Sequence, residues 1–191
     1  MAIVQKQSPP ADGATIVGNA IRNLWRRPGA IAEALGGASV NLSQPLPVYS
    51  LGLDDIHGPD CINKVKIAGW RYLMEDSNTV AYADLVDHPT GGQIFASLSR
   101  NLNAERLREA ANLAEKVASG LPDCEARVLD VPALQVSAIW LFGASSRFIP
   151  YMDPEWFGGP SASVSVDPDL LDRLTRRADE LRLHLQSGQA P

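Results

Sequence analysis

The chain has 191 residues, 45% hydrophobic and 20% charged, with 17 basic against 22 acidic side chains and a net charge of −5. That length suits one domain with appendages, and that balance excludes a disordered chain, a coiled coil and nucleic acid as the default partner. The longest uncharged apolar runs reach about half of the ~20 residues a membrane helix needs, so no membrane span is expected.

Residues 1–45 read as an N-terminal arm. Residues 1–13 contain the breaker cluster SPPADG and are expected to be unstructured. Ile16, Val17, Ala20, Ile21, Leu24 and Trp25 recur at helical spacing, and Pro28–Gly29 ends that helix before a linker over 36–45. The arm carries Lys6, Arg22, Arg26 and Arg27 against Asp12, a net +3 through Ala32, which leaves −8 on the remainder. A basic amphipathic helix on an acidic chain is a candidate protein-binding element.

Residues 46–186 read as an α+β domain, with 187–191 as a disordered tail. LPVYSLGL (46–53) alternates like a strand. Gly58-Pro59-Asp60 opens a predicted helix with Asp60 as N-cap and Ile62, Val65, Ile67, Trp70, Tyr72 and Leu73 as its apolar surface. Strands are predicted at 79–86 and 93–99 around a turn at 88–92. Residues 103–119 form the cleanest helix, with Leu107, Ala110, Ala111, Ala114 and Val117 on one face and Gly120 and Pro122 as the stop. EARVLDVPALQVSAIWLF (125–142) reads as two adjacent buried strands broken at Pro132, because proline has no N–H to give a ladder. Residues 143–166 read as loop. Asp167 opens a last amphipathic helix bearing Leu170, Leu171, Leu174, Ala178, Leu181 and Leu185.

Strand, helix, strand, strand, helix, strand is a split βαβ, ferredoxin-like order. The expected fold is therefore an antiparallel-rich sheet with one added strand and amphipathic helices at both ends. In that arrangement the strands at 46–53 and 79–86 run parallel, and the loops after them share one sheet edge.

No phosphate loop, dinucleotide fingerprint, HExxH pair or nucleophile elbow occurs. The best chemical cluster is LDDIHGPDC, holding Asp54, Asp55, His57, Asp60 and Cys61. It offers a cysteine nucleophile with a local histidine or, with Asp84, Asp87 and His88, a metal site at the shared edge, so the alternative reading is a small hydrolase or a ligand- or metal-binding domain centred on Asp54, His57, Cys61 and His88. Against catalysis, the aspartates would raise the Cys61 pKa and no oxyanion donors can be read. The sequence thus favours a non-catalytic interaction or assembly module with no cofactor or metal. Its partner would be another protein or a second copy. The expected contact residues are Arg22, Trp25, Arg26 and Arg27 on the N-terminal helix, and Phe148, Tyr151, Trp156 and Phe157 in the loop 148–159. Two cysteines without a metal pattern, and the lack of a basic start followed by an apolar block, make cytoplasmic the expected location.

Overall fold

The computed structural model describes residues 3, 6–25, 41–76, 79–156 and 163–187. Among these residues eight strands form one sheet: β1 (Asn41–Leu42), β2 (Leu46–Ser50), β3 (Lys66–Asp76), β4 (Thr79–Asp87), β5 (Gln93–Ser99), β6 (Glu125–Val131), β7 (Val136–Phe142) and β8 (Arg147–Met152). The spatial order is β5-β4-β3-β2-β6-β7-β8, with β1 paired to β3. Two antiparallel meanders, β2 to β5 and β6 to β8, meet at the parallel pair β2 with β6, the single one among the described residues. Among the described residues, three helices cover the sheet: α1 (Gly13–Trp25), α2 (Leu102–Ala118) and α3 (Leu170–Ser187).

The mixed α+β class holds, but the split βαβ arrangement does not form. The predicted helix from Asp60 is a short 3-10 turn (Pro59–Lys64) followed by the eleven-residue strand β3. Trp70, Tyr72 and Met74 pack on one face of β3 and Leu73 on the other, with Arg71 buried beside it. A strand buried on both faces loses the polar alternation that marks an ordinary antiparallel strand. Strands β2 and β4 do point the same way, because β3 runs antiparallel between them. The β4–β5 hairpin and the β6–β7 hairpin across Pro132 both form. At Gly69 a bulge shifts the β2–β3 register, with φ +152, and a Cβ there would sit 2.0 Å from Leu85 O. Only glycine admits that backbone approach.

The sheet curls around α2. The Arg71 guanidinium on β3 donates to the Tyr151 hydroxyl on β8. These strands are four spacings apart, about 19 Å on a flat sheet, too far for two side chains to bridge. Helix α2 accordingly touches β3 and β4 on one wing and β7 and β8 on the other. Its sheet-facing residues Ala104, Ala110, Ala114 and Ala118 are small enough to let it sit in the concavity. On the convex face, Val17 and Ile21 of α1 pack on Trp70, Tyr72, Ala81 and Leu85. Leu170, Leu174 and Ala178 of α3 pack with Leu129, Trp140 and Phe148.

Two further expectations are corrected. Residues 147–152 are the edge strand β8 rather than loop, and Pro150 is tolerated there because an edge strand has one side without ladder bonds. Lys6 and Gln7 are not unstructured: their N–H groups are held by Glu125 at the start of β6.

Candidate binding groove

A groove of about 450 Å³ lies between α2 and the concave face. Helix α2 lines it with Leu107, Ala111, Ala114 and Ala118, positions that follow one another by four, three and four residues and so share one face. Leu46, Leu73, Ala126 and Ile139 supply the sheet wall, from β2, β3, β6 and β7. Ser43, Gln44, Glu75, Asn112 and Glu115 supply polar groups, and Ile3 closes one part of the lining. The space exists because the curled wings hold α2 off the middle strands while its side chains there are mostly alanine.

A buried polar clasp holds the curl. Arg71 donates through Nε to Asp84 Oδ1 at 2.7 Å and through a terminal nitrogen to Asp84 Oδ2 at 2.9 Å, and Ser97 Oγ donates to the same carboxylate at 3.1 Å. The guanidinium also lies 4.4 Å from the Tyr82 ring centroid. Burial alone would lower the Arg71 pKa, but Tyr151 and Asp84 outweigh it and raise it, so the cation is secure. Burial pushes the Tyr151 hydroxyl above the usual tyrosine range, so it stays protonated. These groups satisfy one another. Their arrangement is mechanical, joining β3, β4, β5 and β8.

On the opposite face of the sheet from the groove, Glu125 forms a shelf at the start of β6. Its side chain is 1% exposed. Oε1 accepts the backbone N–H groups of Lys6 and Gln7 at 3.0 and 3.2 Å. Oε2 is held by Arg127, 2.7 Å from Nε and 2.6 Å from a terminal nitrogen. Arg127 lies over Phe142, Tyr49 and Trp140, with centroids at 3.7, 4.5 and 5.0 Å. Gln7 Nε2 donates to Tyr49 Oη at 2.8 Å, and Lys6 Nζ stands 5.4 Å over the Phe142 ring. Burial raises the Tyr49 pKa against the lowering influence of Arg127.

The residues singled out from sequence are dispersed. Cys61 is 2% exposed in the α3-side core, and burial pushes its thiol pKa up. His57 is exposed, Asp54 and Asp55 lie in the 3-10 turn before it, and Asp60 lies in the turn after it. His88 engages Thr90, its Nδ1 2.6 Å from Oγ1. His57 and His88 follow β2 and β4, with β3 between those strands. Asp84 belongs to the clasp, and Asp87 accepts from Gln93. Among the described residues no group of three or more His, Cys, Asp or Glu side chains is placed to hold a metal ion.

Phe148 and Tyr151 are buried on opposite faces of β8, so neither offers surface to a partner. Trp156 lies under Arg173 at 4.9 Å and donates to Ser163 O. Arg22 is exposed on α1 and bonds Gly18 O and Asn19. The Trp25 side chain, Arg26, Arg27 and Phe157 fall outside the described residues.

Sequence reasoning missed Glu125, Arg127 and the groove. The available signal was the E-x-R at 125–127 facing W-x-F at 140–142, a charged pair opposite aromatics in one antiparallel register. No described helix is long and apolar enough to cross a membrane. Comparison of the chain with protein-family models, with curated proteins and with solved structures finds no match.

Proposed function

We propose that this chain is a non-catalytic interaction module whose binding surface is the groove between α2 and the concave face of the sheet. The observation that carries the reading is the groove itself. Its volume of about 450 Å³ falls in the range of ligand sites. Its wall is apolar and its margin carries Glu75 and Glu115. Such a surface suits an apolar side chain flanked by positive charge. The buried ionised groups next to it are already paired with one another, which supports binding rather than chemistry as its task.

The test uses Nile red, a neutral dye that reports apolar sites. The wild-type chain should bind it with a blue-shifted emission. Ala111→Trp fills the groove from its half-buried wall and should weaken dye binding ~10-fold or more, a loss of about 1.4 kcal/mol or more, with an unchanged far-UV spectrum. Equal dye binding by both proteins would remove the groove as the binding surface.

A further inference from the structure

We propose that the groove takes a small single-chain amphiphile with a cationic head, in its simplest form an alkyl ammonium, with its tail on the buried floor. The inference rests on the groove reading above and names the ligand, a free-molecule counterpart of the apolar side chain beside positive charge. The lining has two parts. Leu107, Ala114 and Ile139 belong to it and are buried, at 1, 2 and 1% exposure. Ser43, Glu75, Asn112 and Glu115 belong to it and are exposed. A ligand that matches both parts has an apolar body and a polar end. The α2 wall runs from Leu107 to Ala118, about 16 Å of helix. That length holds an extended chain of about ten carbons. Each methylene that leaves water for the alanine-lined floor favours binding.

The exposed part sets the sign of the head. Among the described residues the lining carries two charged side chains, Glu75 and Glu115, and no basic one. Glu75 on β3 faces Asn41 of β1 and Val80 of β4, so no cation stands opposite it in the sheet. On α2 the residues three and four positions from Glu115 are Ala111, Asn112, Ala118 and Ser119, none of them basic. A carboxylate head would meet like charge here, and a neutral head would gain nothing from it. An ammonium gains from both carboxylates, and the Ser43 hydroxyl and the Asn112 side-chain carbonyl are further acceptors for its N–H groups. A primary amine is protonated at neutral pH, as lysine is. Ion pairs in contact with solvent are weak, so the tail supplies most of the affinity and the head supplies the selection.

The experiment uses the full chain loaded with Nile red and follows release of the dye by decylammonium chloride, decanol and sodium decanoate, each below its micelle-forming concentration. Wild type should release half its dye at a ~5-fold or more lower concentration of decylammonium than of decanoate, and added salt should narrow that gap. Glu75→Gln with Glu115→Gln should reduce the gap to below about 2-fold, with dye binding and release by decanol unchanged. Glu109→Gln with Glu180→Gln removes the same charge from exposed positions outside the groove and should leave the gap as in wild type. Equal release by decylammonium and decanoate, or a preference for decanoate, overturns the cationic ligand. So does a gap that the Glu109 and Glu180 changes close as fully as the Glu75 and Glu115 changes, because overall charge would then explain it. Dye that none of the three compounds releases, while Ala111→Trp still lowers its binding, also overturns the ligand and leaves the groove reading standing. Dye binding that Ala111→Trp does not change removes the groove reading and the ligand with it.

Discussion

The two faces of the sheet are covered by helices of similar length and opposite character. On the convex side, α3 sets Leu170 and Leu174 among Leu129, Trp140 and Phe148, and the Trp140 ring stacks on Phe148 at 6.1 Å. On the concave side, α2 presents Ala104, Ala110, Ala114 and Ala118 to the sheet, with Leu107 as the large exception. A buried leucine contributes about 1.5–3 kcal/mol more than it would exposed, and an alanine much less. The concave face therefore gives up apolar stabilisation and gains space. It compensates with the clasp among Arg71, Asp84 and Tyr151, which pins wings that α2 alone fills poorly. One face closes by volume and the other by a polar bond across a gap, and only the second leaves room for a ligand.

Breaking the clasp should have the largest effect on stability. Asp84→Ala leaves the Arg71 guanidinium, whose side chain is 8% exposed, without its carboxylate. Removing one partner of a buried ion pair costs about 3–5 kcal/mol, and urea unfolding should show it as a lowered midpoint. Replacing both partners, with Arg71→Met and Asp84→Leu together, should cost less than the single change, because no charge is stranded. A single-variant loss below about 1 kcal/mol would mean that the curl is held by something other than the clasp.

The contrast between the faces also explains what could be read from the sequence. The 17-residue helix α2 was legible, since Asn101 caps it through the Asn103 N–H and its apolar residues keep helical spacing. So were β4, β5 and the β6–β7 hairpin. Strand β3 was not, because Trp70 to Met74 is buried without interruption and period alone cannot separate such a strand from a helix. Strand β8 was hidden by Pro150 and the surrounding Gly and Ser, signals that mean loop except at a sheet edge. The groove was least legible. An alanine stripe reads as core from the sequence, and only the curvature of the sheet decides whether the space opposite is filled. The cysteine and histidine cluster drew notice by residue type, whereas Glu125 matters through its position.

Added volume should separate the two faces by a smaller margin. Ala178 on α3 is fully buried against the filled face, and Ala178→Leu forces extra methylenes into it at about 1–3 kcal/mol. Ala111 on α2 borders the groove, and Ala111→Leu should change stability by less than about 0.5 kcal/mol, as a substitution into open space does. Urea midpoints of the two variants give the comparison directly. Equal losses would show that the concave face is as tightly closed as the convex one.

The smallest effect is in alkaline solution, where both faces carry neutral acids that burial keeps protonated. Cys61 on the α3 side and Cys124 on the α2 side each have a pKa raised above the ordinary 9.0, with burial the leading cause. Tyr49, Tyr72 and Tyr151 are raised above 10.0, again led by burial. A raised folded-state pKa means the native chain binds more protons than the unfolded chain once pH exceeds the unfolded value. Stability then falls with rising pH. The contribution is complete below about pH 9 and is lost as pH climbs towards the folded values. Urea midpoints measured from about pH 7 to about pH 11 should thus decline first above about 9 and more steeply above about 10, where the tyrosines join. In Cys61→Ala with Cys124→Ala, whatever the midpoint at neutral pH, the decline should begin only with the tyrosines. A decline that starts at the same pH with and without the thiols would remove the cysteines from the alkaline response and leave it to the hydroxyls of Tyr49, Tyr72 and Tyr151.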